Sequence, residues 1–522
     1  MRIIVALVAA HPQLRLADLM AALSCATDLA MGQPVDHALS SCVLAVRLGE
    51  RAGLSASERQ DVYYQGLLRF IGCNADTHIM AAVVGDEIEL RTAFAAIDGG
   101  NQIQVLQLAL RFIRSANPGA STLDLLRAMA QGMLTLGGLE TEIFPGHCEV
   151  AQRLGERLGF SAGFVHGLGQ LYARWDGRGV PAIKAQAISP AVRIVSFAQD
   201  MAIFHRLGGL EAALATARKR RGGQYDPGFV DLFLARAPDL LSGAAANPRW
   251  DDVLALEPGA PRVLAGPQFD EACVVLADFA DIKSPWTLTH SRRVSTLASR
   301  AAALAGCDAA LLGTAGLLHD IGRVGVSAGI WGKAGPLSES QWEKVRQHAY
   351  YTERILGRSP ALSRIGQLAS SAHERMHGEG YFRGTRGAAI DRPARVLAAA
   401  DVFCALTEER PHRRAVTPAK AADQVLAEAR AGGLDADAVH AVLEAAGATA
   451  PSRQSARPAG LSEREVQVLA LLARGHSNKQ IARSLGVSPK TIGNQVQSAY
   501  AKCGVRTRAG ATLYCMEHDL LA

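Results

Sequence analysis

The 522-residue chain has 49% hydrophobic and 20% charged residues with 51 Gly and 21 Pro, which excludes a collagen-like repeat and a disordered composition. Its length points to about three domains, and a net charge of +6 is too small to name a partner without knowing where it sits. Nine cysteines, an odd count without a CxxC pair, argue against a disulfide framework or zinc ribbon and for reduced, mostly buried thiols.

The first apolar run, 3–10, holds eight residues, against the roughly 20 that a membrane helix needs. One Arg precedes it and no clean small-residue cleavage site follows, so the expectation is a cytoplasmic protein with no membrane segment. Ala and Leu dominate beyond it, and stretches such as VSTLASRAAALAG (294–306) space apolar residues by three and four, so the expected class is all-α. A Pro-rich break at 246–268 sets a domain boundary near residue 258.

The two halves on either side of this break read as an internal repeat. GLLRFIG (66–72) matches GLLHDIG (316–322) at five of seven positions, and an ungapped register from His147 and His348 aligns ARWDGRGV (173–180) with ERMHGEGY (374–381). His319 and Asp320 then face Arg69 and Phe70, so the first copy has lost the adjacent His-Asp pair. Its His37, His147, Asp176 and Asp200 are expected to be structural.

In the second copy His290, the pair His319 and Asp320, His348, His373 and Asp401 follow one another at intervals of 25 to 29 residues, and each is expected on a different helix. Imidazole and carboxylate donors suit Mn, Fe or Zn, and this set exceeds what one tetrahedral zinc requires. Two metals fit the count, and a dinuclear centre is suited to hydrolysing a phosphodiester.

The stretches DIKSPWTLTHS (281–291), LLHDIGRVGV (317–326), KAGPLSESQWEKVRQHAYYTERIL (333–356), HERMHGEGYFRG (373–384) and ARVLAAADVFCALTEERPHR (394–413) resemble the HD-GYP phosphohydrolases of the HD superfamily. The resemblance covers roughly 270–415. It implies a core metal set of His290, His319, Asp320 and Asp401 with Asp320 bridging, and a second metal on His348 and His373. It further implies Asp320 and Arg323 as catalytic residues, Arg323, Arg375 and Tyr381 at the substrate, one or two divalent metals (Fe, Mn or Zn) per chain, and cyclic di-GMP as the cyclic dinucleotide substrate. The departures are Ala372 for the first His of His-His-Glu, Arg323 for Lys, Phe382 for the Pro of Gly-Tyr-Pro, and His377 for Asp, read as a surface histidine. Trp286 stands where some members carry a Glu, so a third metal is not expected. These departures keep open the alternative of a non-catalytic nucleotide- or metal-sensing regulator.

A linker rich in Pro, Ser, Gly and Arg, 447–460, precedes a basic tail in which 461–522 carry eight Lys or Arg against four Asp or Glu, a surplus that suits a polyanion. Ser462 with Glu465 and Ser477 with Gln480 read as capping boxes, and Pro489 as a first helical residue. Gly475, Gly486 and Gly504 read as stops, giving helices near 463–474, 478–485, 489–503 and 508–520. The second and third form a helix-turn-helix. The tail resembles the LuxR-type DNA-binding domain, which implies double-stranded DNA as partner, Gly493, Asn494 and Gln497 facing bases, and Lys479, Lys490, Thr491, Ser498 and Arg506 on the DNA side. The last helix, with Leu513, Met516, Leu520 and Leu521, is the expected dimer surface of a homodimer. The whole reads as all-α: a degenerate HD-GYP-like repeat (1–258), an HD-GYP-like domain (259–446), a linker (447–460) and a four-helix LuxR-type domain (461–522).

Overall fold

The computed structural model describes residues 14–98, 101–117, 119, 121, 123–124, 127–130, 139–447 and 458–521. The apolar run 3–10 and most of the linker, 448–457, lie outside them. Among the described residues the chain is helical, and the sole sheet is a two-residue pairing of Leu14–Arg15 with Val263–Leu264. No helix among them is long and apolar enough to cross a membrane. All nine cysteines are free, and all but Cys307 are buried.

The two halves place matching backbone approaches at matching motif positions. Gly72 sits so close to the His147 carbonyl that a Cβ would collide with it, and Gly322 is packed in the same way on the carbonyl of His348. Each half has a short 3₁₀ turn, Ala185–Ala187 or Gly387–Ala389, leading into a helix with proline in its first turn, Pro190–Arg220 or Arg392–Leu406. Arg193 and Arg395, at equivalent points of these helices, donate Nε to the Ile188 and Ile390 carbonyls at 3.0 and 2.8 Å. The first of these helices is interrupted at Gly208 and Gly209, where φ of Gly209 is +70°.

One hydrophobic core runs from Leu14 to Ala445 without a break at residue 258. The helix Leu16–Ala30 is central to it, with most of its side chains fully buried. Stability is therefore shared between the halves, since apolar area removed from water is contributed by both faces of each contact.

The basic tail forms four helices, Glu463–Ala473, Asn478–Leu485, Pro489–Cys503 and Arg508–Glu517. Both expected capping boxes are present, and Gly486 and Gly504 cap their helices in the left-handed conformation at φ +66° and +63°. A separate small core holds Val468, Ile481, Ile492, Val496 and Ala499.

The terminal helix Arg508–Glu517 is shared between two cores. Ala511, Tyr514 and Cys515 belong to the small one, while Ala509, Leu513 and Met516 belong to the large one. Leu513 and Met516 are fully buried, so the face expected to dimerise is covered within the chain. The cover is the helix Phe144–Arg157, whose Gly146 admits Ala509 and whose Glu149 accepts hydrogen bonds from Arg506 N at 2.9 Å and Thr507 Oγ1 at 2.6 Å. The sequence pattern shows that this helix has an apolar face but not what covers it.

Candidate metal centre

His290 is the first residue of the helix His290–Ala305, and His319 and Asp320 sit where the helix Ala309–Leu318 gives way to the 3₁₀ turn Ile321–Gly325. His348 lies within Glu339–Leu356, and Asp401 within Arg392–Leu406. His373 departs from the expected one-helix-each pattern. It occupies the turn after Ser363–Ser370, because the chain must bend there to bring its ring under the helix of His348. The bend is fixed by Glu374, which accepts from Arg383 N and Thr385 N at 3.3 and 2.8 Å, and by Gly380, where a Cβ would lie 2.5 Å from the Glu374 Cα.

All six expected side chains are buried and converge as two sets, His290, His319 and Asp401, and Asp320, His348 and His373, with ligand atoms within 4.8 Å of one another in each set. Asp320 links them: Oδ2 is 3.2 Å from His319 Nε2, while Oδ1 is 3.3 Å from His348 Nε2 and 3.5 Å from His373 Nε2. Asp401 Oδ1 lies 3.2 Å from His290 Nε2 and its Oδ2 3.4 Å from His373 Nδ1.

The outer nitrogens of three rings are anchored. His319 Nδ1 pairs with the Gly316 carbonyl at 2.8 Å, His348 Nδ1 with that of Val345, and His290 Nδ1 with Glu408 Oε2 at 2.8 Å. These partners accept only, so Nδ1 carries the hydrogen and Nε2 is left to face the centre.

The electrostatics of the centre set burial against the charges packed around it. Burial alone pushes the Asp320 carboxyl up, yet Arg323 and His319 hold it well below the usual carboxylate range. Burial opposes charge on His319 too, but Asp320 and Asp401 keep it well above the ordinary histidine value. Burial, then the adjacent His348, lowers His373 to about 4. His319 Nε2 and both Asp320 oxygens are buried with no hydrogen-bond partner among the described residues. Buried orphan acceptors are costly, and a divalent ion of borderline hardness would satisfy all three. The donor set fits such a metal.

Around this centre Arg323 places Nε 3.1 Å from Asp320 Oδ2, stacks 4.6 Å over the Trp331 ring, and keeps a buried NH1 without a hydrogen-bond partner. Tyr381 stacks on His373 with ring centroids 4.8 Å apart and meets His348 edge-on at 5.7 Å. Arg375 pairs with Glu428 at 3.2 Å and donates to the carbonyls of Glu374 and Ala372 at 3.0 and 3.4 Å. His377 is exposed.

Three contributors escaped the sequence reading. Glu408 stands inside a motif stretch but without a ligand's spacing. Lys283 is fully buried and donates to the Val324 carbonyl and to Glu87 Oε1, both at 3.0 Å. Glu87, from the first half, also accepts from Ser327 Oγ at 2.7 Å and Ala328 N at 2.9 Å, pinning the segment after His319 and Asp320. No local pattern marks Glu87, because its partners are more than 190 residues away.

In the first half the equivalent place is filled by protein. Arg69, half-buried, donates to Gln199 and to the Leu171 carbonyl at 2.9 Å, and His147 is closed off by Tyr172 OH at 2.8 Å and the Ala75 carbonyl at 3.1 Å. His37 is buried, Asp176 pairs with Arg174 at 3.1 Å, and Asp200 accepts from Tyr225 OH at 2.6 Å, all structural contacts.

In the tail, Lys479, Lys490, Thr491, Asn494, Gln497, Ser498 and Arg506 are exposed on the helix-turn-helix side, with Gly493 half-buried among them. Ser498 Oγ donates to Glu465 Oε1 at 2.7 Å, and Lys502 pairs with the same carboxylate at 2.7 Å.

The chain matches the HD domain family over residues 274–437 and the luxR family of bacterial regulatory proteins over residues 459–515. The 3'3'-cGAMP-specific phosphodiesterase 3 of Vibrio cholerae serotype O1 is 31% identical over 419 residues, 78% of this chain and 89% of that protein. The cyclic di-GMP phosphodiesterase of Thermotoga maritima is 33% identical over 144 residues, 27% of this chain and 38% of that protein. The crystal structure of a cyclic GMP-AMP-specific phosphodiesterase from V. cholerae superposes with a TM-score of 0.56 at 26% identity, covering 84% of this chain and 99% of that one.

Proposed function

This chain belongs to the HD-GYP phosphodiesterases and carries a LuxR-type helix-turn-helix domain, and on that premise we propose that it hydrolyses a 3',3'-linked cyclic dinucleotide and binds double-stranded DNA in the cytoplasm. The observation that carries the reading is the division of Asp320, one oxygen toward each set of histidines. Divalent metal held there, one or two ions of Fe, Mn or Zn, supplies Lewis acidity and a water of lowered pKa. His290, His319 and Asp401 hold one position and His348 and His373 the other. Arg323 presents its unpaired NH1 to a phosphate oxygen; being unable to give up its proton, it stabilises charge and transfers none. Tyr381 keeps the His373 ring in place by stacking.

Cyclic GMP-AMP is the first candidate substrate, because the relative matched over 89% of its length is named for it. Cyclic di-GMP, named for shorter matches such as the Thermotoga protein, is the second. The test is hydrolysis of each by the full chain with Mn or Fe, beside Asp320→Ala. Turnover of either that vanishes in the variant supports the enzyme; turnover of neither refutes it.

A second reading, a sensor that binds without turnover, is favoured by Ala372, which is fully buried next to His373 and offers no donor where the family has histidine. Bound metal and nucleotide without hydrolysis would select it.

For the tail, Asn494 and Gln497 suit direct readout, and Lys479, Lys490 and Arg506 suit phosphate contacts. We assign 1–258 to a degenerate repeat, 259–446 to the HD-GYP-like domain, 447–460 to a linker and 461–522 to DNA binding. In the arrangement described, the readout face is open while the face expected to pair two copies is closed. Catalytic and DNA-binding parts are thereby placed to influence each other, an allosteric relation that requires two states of unequal affinity.

A further inference from the structure

Among the residues around the centre, Glu408 is unlike the other groups that anchor a histidine. His319 and His348 lean on neutral main-chain carbonyls three residues upstream in their own segments. His290 opens its helix, so no helical carbonyl lies behind its Nδ1, and its partner comes from 118 residues further along the chain. That partner is a full negative charge. Burial raises an isolated carboxylate's cost, and Glu408 is compensated by two cations, Arg410 at 2.8 Å and Arg293 at 3.1 Å, and by the His290 ring N–H at 2.8 Å. Arg410 is held in turn by the Trp286 carbonyl, in the turn that leads into His290. Glu408 thus ties together the start of the His290 helix, its next turn through Arg293, and the segment following Asp401.

We propose that Glu408 is the positioning residue of the first metal set: it fixes His290 as the Nδ1–H tautomer, aims Nε2 at the position shared with His319 and Asp401, and strengthens it as a donor. A carboxylate does this better than a carbonyl because it polarises the imidazole toward the metal, and loss of such a partner weakens metal binding by about 10- to 100-fold. The second set, His348 and His373 with Asp320, has no contact with Glu408 and keeps its affinity. The inference rests on the metal-binding reading above and adds a residue that the ligand spacing does not reveal.

The experiment is Mn(II) binding to the full chain, followed by calorimetry and by the electron paramagnetic resonance of free Mn(II), for wild type, Glu408→Ala and Glu408→Gln. Glu408→Ala should weaken one class of site by about 10- to 100-fold and leave the other within about threefold. Glu408→Gln retains an acceptor for Nδ1–H and should recover part of the loss. The metal-free thermal transition of Glu408→Gln should stay close to wild type, which a merely structural role would not allow. If Glu408→Ala does not fold, Glu408→Gln decides by the same criterion. Binding within threefold of wild type in every folded variant overturns the proposal, and so does an equal weakening of all sites. Failure of wild type to bind Mn(II) at all would instead sink the metal reading on which it stands.

Discussion

Glu517, on the terminal helix, places Oε2 2.9 Å from NH1 of Arg153, on a helix of the first half some 360 residues earlier. Arg157, one turn on, lies 3.6 Å from the same carboxylate and 2.7 Å from the buried Asp278, and Asp278 pairs at 2.5 Å with Arg292, two residues after His290. A continuous set of ion pairs therefore joins the closed face of the DNA-binding domain to the helix that opens with a metal-set histidine.

Breaking this link should open the terminal helix. Arg153→Glu places two carboxylates together in a mostly buried pair, and a cost of about 1–3 kcal/mol would shift the closed-to-open ratio about 5- to 150-fold. The expected outcome is a larger share of dimer in light scattering and tighter binding to DNA selected by the wild type. The charge-reversed double variant Arg153→Glu with Glu517→Arg should return both toward wild type. An unchanged oligomeric state in the single variant would dismiss the closed-face account.

Asp320→Asn keeps the volume of the carboxylate but removes its charge and one acceptor. Bound metal should fall by at least about tenfold, and the metal-free protein, losing the charge that pairs with Arg323 and His319, should melt lower than wild type. Metal content by mass spectrometry and a chelated thermal scan check both halves. Retained metal would mean that Asp320 is not the link between the two sets.

Gly493 lies in the middle of Pro489–Cys503 and nothing comes within 4 Å of a Cβ built there. Gly493→Ala should stabilise the tail by roughly 0.5–1 kcal/mol, since mid-helix glycine carries that penalty against alanine. Asn494→Ala and Gln497→Ala, both exposed, should leave folding within about 0.5 kcal/mol and weaken the preferred site by about 1–3 kcal/mol each. Denaturation of the chain and competition between specific and mixed DNA separate these effects.

Burial lowers His147 to about 3, with Arg91 adding to it, and lowers His37 and His78 to about 4. In the unfolded chain each binds a proton near pH 6.5. Folded values below unfolded ones mean stability that is full above pH 6.5 and is lost as the pH falls toward 4. His147→Gln, able to face both Tyr172 OH and the Ala75 carbonyl, should remove one share of that loss, about 2–4 kcal/mol at most between pH 7.5 and 4. Urea midpoints of chelated wild type and variant, compared across this range, would show the difference narrowing as the pH drops. Parallel curves would refute it.

Features that depend on neighbours along the chain are legible before folding. Helix was legible from three-and-four spacing, and the tail's four helices fall within about three residues of their expected ends because Ser462, Ser477 and Ser488 cap through contacts three residues away. The six metal-set residues were legible because each lies in a short ordered motif. Tertiary structure alone decided whatever joins distant segments. It sorted those six into two sets joined through Asp320, and it paired Arg375 with Glu428. It brought Glu87 and Glu408 to the centre, and it closed Leu513 and Met516 against the first half. Burial of a charge or an apolar face is set by what packs across it, and periodicity along one helix carries no record of a partner that lies hundreds of residues away.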